Sequence, residues 1–134
     1  MRVFVLAALL TVAPALAAEL VSPDEFRDYA EGWTLYFERD GEPFGSEAFE
    51  QGGKVRWRYS DGSCVRGAWR PHDDRLCFLF DSEDEGAVVN CWEMRRDDRG
   101  LLARLVDGEN AGLELRVTRR DRTPLLCGEP GVDT

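Results

Sequence analysis

The sequence predicts a mainly β domain: a small antiparallel up-and-down β-barrel, or barrel-like meander, of about eight strands preceded by one short N-terminal helix. Three observations carry this. From Trp33 onward apolar residues recur with a period of two, as in Val55/Trp57/Tyr59, Leu76/Phe78/Phe80 and Val88/Asn90/Trp92/Met94, which places them on one face of a strand. Turn-forming clusters break the pattern roughly every 8 to 12 residues, the spacing of short strands in a meander. Ahead of it stands a single stretch with helical start and stop signals.

The chain opens MRVFVLAALLTVAPALAAEL. Arg2, the apolar run Val3 to Val12 and Ala15-Leu16-Ala17 have the three parts of a secretory signal peptide. The apolar run is shorter than the ~20 residues a membrane-spanning helix needs. Cleavage is expected after Ala17 or Ala18, giving a signal peptide over 1–17 and one domain over 18–134, with no membrane insertion afterwards. Loss of Arg2 would make the net charge of −9 one unit more negative. So acidic a chain repels nucleic acid and anionic lipid, which removes both from the expected partners.

In VSPDEFRDYAEG, Ser22 is placed to cap a helix, Pro23 suits its first position and Glu25 stands where a capping-box acid belongs. Gly32 ends it, and Phe26 and Tyr29 share a face that would pack on the domain. Eight strand-like runs follow, over 33–39, 43–50, 54–60, 64–70, 75–80, 87–95, 101–106 and 113–119. Their turns include Arg39-Asp40-Gly41, Gln51-Gly52-Gly53, Asp61-Gly62, Pro71-His72-Asp73-Asp74 and Asp107-Gly108. The tail RDRTPLLCGEPGVDT has no period and reads as an arm held by Cys127.

Four cysteines in an exported chain point to disulfides, and none of the spacings from Cys64 to Cys77, Cys91 and Cys127 is the CxxC of a metal or redox site. With a hairpin turn centred on Asp84, Cys77 and Cys91 fall opposite one another, within reach of a bond. That register favours Cys77–Cys91 with Cys64–Cys127. The alternative, Cys64–Cys77 with Cys91–Cys127, requires a hairpin centred near residue 70.5, ahead of the Pro71-His72-Asp73-Asp74 turn.

Within CFLFDSEDEGAVVNC, Asp81, Glu83, Glu85 and Gly86 match the first half of a calcium loop, but Trp92 occupies the position of the bidentate acid. The reading is a solvated acidic turn, with no metal and no cofactor expected. Catalytic signals are equally thin. His72 is the single histidine, no serine has a GxSxG context, and neither GxGxxG nor a P-loop occurs. No catalytic residue is assigned.

Two features remain as candidates for binding. Trp57, Tyr59, Trp69, Phe78, Asn90 and Trp92 share the inward parity of adjacent strands. In a chain this short such rings predict an interior filled by side chains, with a small cavity for an apolar ligand and Asn90 as its polar handle as the alternative. Alternate turns of a meander lie at opposite ends. Asp61, Asp81, Glu83, Asp84, Glu85, Asp107 and Glu109, together with Asp40 and Glu42, therefore gather at one end against Arg39. That acidic face would steer a protein with a basic surface.

The run DEFRDYAEGWTLYFERDGEPFGSEAFEQGGKVRWRY, with CVRGAW, LCFLF, NCWEM and the LLCGEPG tail, resembles a family of short exported uncharacterised bacterial proteins with four cysteines. The resemblance implies a small disulfide-bonded β domain without an assigned activity. More distantly, a short helix leading into Gly32-Trp33 resembles the start of lipocalins, without the spacer residue of their Gly-x-Trp, and implies a similar architecture. The resulting expectation is a periplasmic or secreted, non-catalytic domain. It is read first as a protein-binding module of the bacterial envelope, and alternatively as a lipocalin-like carrier of a small apolar ligand.

Overall fold

Every period-two segment forms a strand, and each pairs antiparallel with the next. In a computed structural model, which describes residues 9–12, 18–81 and 88–128, strand β1 (Glu19–Val21) leads into helix α1 (Pro23–Ala30). There follow β2 (Thr34–Arg39), β3 (Glu42–Phe49), β4 (Lys54–Tyr59), β5 (Cys64–His72), β6 (Arg75–Phe80), β7 (Val88–Asp97), β8 (Gly100–Leu105) and β9 (Glu114–Asp121). From β2 to β9 the sheet is a continuous meander, and β9 pairs back onto β2, with Phe37 opposite Val117. The result is a closed eight-strand antiparallel barrel, the form that pairs both edges of each barrel strand.

β1 is an addition that strand periodicity did not predict. β7 is ten residues long; its first half pairs with β6, and its second half runs on beyond β6. Leu20 and Val21 fill that vacant edge opposite Arg95 and Met94. Three residues are too few to show a period, and only Val21 of the three is buried.

α1 forms as its caps require. The Ser22 hydroxyl accepts from the Glu25 N–H at 3.2 Å, Pro23 opens the first turn, and Asp24 and Glu25 sit where the helix dipole favours acids. The chain then turns at Gly32, whose φ of 83° suits glycine, and the Gly32 N–H donates to the Phe49 carbonyl at 2.7 Å. The buried face of α1 closes one end of the barrel. Phe26 meets Phe49 and Trp69 edge-on, at 5.3 and 5.8 Å between ring centres. From β9, Arg120 stacks over Tyr29 and Trp33, at 4.2 and 4.0 Å, and donates to the Tyr29 carbonyl at 2.6 Å.

The disulfides join Cys77 to Cys91 and Cys64 to Cys127. Cys77 stands opposite Cys91 in the β6–β7 ladder, whereas its neighbour in β5 is Arg70. The β5–β6 turn is Asp73–Asp74, with Pro71 and His72 still paired in the strand. That register leaves Cys64 far from Cys77. The second bond ties down the tail, which runs from β9 across the outside of β2 to β4. Thr34 Oγ1 donates to the Thr123 carbonyl, Arg58 Nε donates to the Leu126 carbonyl, and Leu125 is buried. This cover explains why the outward-facing Thr34, Ser46 and Ala48 are also buried.

Candidate functional site

Above its α1 plug the barrel is hollow. A cavity of about 420 Å3 occupies the lumen, within the size range of small-molecule sites and large enough for on the order of a dozen waters. Its floor includes Phe26, Phe49, Leu76 and Met94, all buried near α1. Its walls include Phe37, Trp57, Phe78 and Trp92, and its mouth includes Phe44, Tyr59, Ser60 and Asn110. Tyr59 is 48% exposed, so the lumen opens at the end away from the helix. The filled interior expected from the abundance of rings is therefore corrected.

The reason lies in the small residues among the inward positions. Gly45 and Gly67 have no side chain, and Val65, Asn90 and Ala103 are short for a barrel radius. A Cβ on Gly45 would collide with the Trp57 ring, so that ring lies back against β3 instead of crossing the lumen.

Five of the six residues expected to line a cavity do so: Trp57, Tyr59, Phe78, Asn90 and Trp92. Trp69 does not. It has the inward parity but sits nearer the closed end, covered by Phe26 and with the Arg27 guanidinium 4.8 Å from its ring centre. Trp69 belongs to the plug and not to the cavity wall.

Sequence reasoning missed the most unusual group on the wall. Glu47 is only 5% exposed, yet it points inward between Gly45 and Phe49 on β3, with Leu35 of β2 and Trp57 of β4 as its cross-strand neighbours. One residue, Ala48, separates it from the floor residue Phe49, and the two steps rise about 7 Å along the strand. Among the described residues no donor reaches its buried Oε1. Burial alone pushes its carboxyl up to about 8, from an ordinary 4.5. A signal for it existed: in PFGSEAFE the acid shares parity with Phe49, on the strand paired with Val55 and Trp57.

Among the described rim acids, Asp40, Glu42, Asp61, Asp81 and Glu109 are exposed at the mouth end of the barrel, with Asp107 half-buried there. Two of these have local tasks. Asp61 accepts from the Ser63 N–H and hydroxyl, at 2.9 and 2.6 Å, which holds its carboxyl below the usual range. Asp107 accepts from the Cys91 N–H at 3.1 Å. Glu83, Asp84 and Glu85, with Gly86 of the calcium pattern, lie outside the described residues. His72 is exposed at the opposite end, beside Asp73, and takes no part in the cavity. Among the described residues no group of three or more His, Cys, Asp or Glu side chains is arranged to hold a metal ion. No helix there is long and apolar enough to cross a membrane.

Comparison with protein-family models, with curated proteins and with solved structures returned no match. The geometry of the cavity is thus the guide to what the chain does.

Proposed function

We propose that this protein is a binding or carrier protein for a small, largely apolar ligand held in the barrel lumen. The observation that carries the reading is the aromatic cavity of about 420 Å3, open at one end and furnished with two inward polar groups, Glu47 and Asn90. An apolar wall with a few placed polar groups is the common composition of small-molecule sites. The protein-binding reading of the acidic face has less support, because Asp61 is already engaged in its own turn and Asp107 with the Cys91 N–H of β7.

The two disulfides suit an oxidising, non-cytoplasmic location. Together with the signal-like N-terminus and the resemblance to short exported bacterial proteins, they support a periplasmic or secreted carrier. Nothing in the reading calls for catalysis.

The test is titration with a neutral environment-sensitive dye such as Nile red, in wild type and in lumen-filling variants Ala103→Phe and Asn90→Trp. Saturable one-to-one binding that both variants weaken supports the proposal. Absence of saturable binding in wild type, or binding unchanged in both folded variants, would overturn it.

A further inference from the structure

The lumen contains an acid that the apolar walls do not need. A carboxyl buried in an apolar wall loses hydration, and a hydrophobic residue of similar volume would pack there at less cost. Among the described residues its surroundings offer no compensation: Leu35 flanks it from β2 and Trp57 from β4, and the only other titratable group on the cavity wall is Tyr59 at the mouth. The nearest bases of β4 are engaged outside the barrel. Arg56 lies 3.3 Å from Glu50 and reaches towards Cys127, and Arg58 binds the Leu126 carbonyl. Among the described residues no Lys, Arg or His lines the lumen, so an anionic ligand would find no counter-charge there.

Resting on the carrier reading, we propose that the ligand is an organic cation: an apolar or aromatic body bearing one protonated amine, whose ammonium group binds the buried Glu47 carboxylate. Three features converge on this class. The unpartnered Oε1 is an acceptor awaiting a donor. The rings of Trp57, Phe78 and Trp92 line the lumen, and aromatic rings attract a cation as well as an apolar body. Exposed acids at the mouth, among them Asp40, Glu42, Asp81 and Glu109, favour entry of positive charge. At neutral pH the empty site holds a proton on Glu47, so entry of the ammonium ion displaces it to solvent: one cation in, one proton out, with no change in charge within the barrel.

The test is calorimetric titration at pH 7 with phenylbutylamine, phenylbutanol and phenylbutanoate, in two buffers of different ionisation enthalpy. It is run on wild type, Glu47→Gln and Glu47→Met, so that one variant at least is folded. The amine is expected to bind wild type at least about tenfold more tightly than the alcohol, with close to one proton released. Both variants should lose that preference and that release while still binding the alcohol. Equal binding of amine and alcohol by wild type, or an amine preference that persists in the variants, would overturn the cation assignment and leave the apolar carrier standing. Binding of none of the three compounds, with the neutral dye also excluded, would remove both.

Discussion

Glu47 and Trp57 face each other across the β3–β4 ladder, both directed into the barrel. The pair joins the least expected group of the lumen to one of its largest walls. The Trp57 ring has room because the inward residue two before Glu47 is Gly45, which has no side chain to meet it, and the carboxyl beside it is buried.

Glu47 should make the protein less stable as pH rises. The folded state retains its proton up to about 8, whereas the unfolded chain releases it near 4.5. Between those values the unfolded state binds fewer protons, so stability falls through that window and levels off above it. Glu47→Gln should remove this slope and gain on the order of a few kcal/mol over wild type at pH 8.5. Urea denaturation of both proteins at pH 5 and pH 8.5 measures it. Parallel curves would show that the carboxyl is not desolvated.

Asp97 should act in the opposite sense. Its carboxylate receives both guanidinium nitrogens of Arg116, at 2.7 and 2.9 Å, and the Arg99 N–H, which hold it down at about 2. A depressed carboxyl stabilises the fold above its ordinary value near 3.8 and loses that contribution as pH falls through about 2. Wild type should therefore melt above Asp97→Asn at pH 6, and the two melting temperatures should converge by pH 2.

The tail bond should matter more than the hairpin bond. Cys64 and Cys127 are 63 residues apart, against 14 for Cys77 and Cys91. The chain-entropy account assigns about 4 kcal/mol to the longer loop and about 3 to the shorter. Replacing Cys64 and Cys127 with Ser should also raise amide exchange around the covered Thr34 and Ser46. Replacing Cys77 and Cys91 should leave that patch protected.

Gly45→Ala should disturb the lumen and, through the packing of Trp57 on Phe44 and Tyr59, the rings at its mouth. Its Cβ would strike the Trp57 ring and lie 2.9 Å from the Arg58 carbonyl oxygen. The ring must swing into the cavity, at a cost of about 1–3 kcal/mol. A changed near-ultraviolet circular dichroism and weaker dye binding are expected, with the meander intact by far-ultraviolet spectra.

Much of the fold was legible because a barrel writes its inside and outside as alternate residues. The eight barrel strands, the Ser22-capped helix and the Cys77–Cys91 register all rest on local spacing. β1 was not legible, since its place depends on β7 outrunning β6. Neither was the hollow interior. Counting Trp57, Phe78 and Trp92 predicts a filled core, but whether rings meet across a lumen depends on Gly45, Val65 and Ala103 standing opposite, which is a property of closure. Trp69 shared the parity of the wall and was taken by the plug, since Phe26 arrives from a helix whose docking no strand pattern encodes. Glu47 was hidden among 26 acids; only its parity set it apart from those that serve turns.

The central claim is that Glu47 is an uncompensated buried acid that awaits a cation. Carbon-13 NMR titration of the glutamate carboxyls, with the Glu47 resonance assigned through Glu47→Gln, measures this directly. In the empty protein the resonance should titrate near 8, and saturating phenylbutylamine should move its midpoint well below neutrality. An ordinary midpoint near 4.5 in the empty protein, or a midpoint near 8 that saturating amine leaves unmoved, would contradict the account.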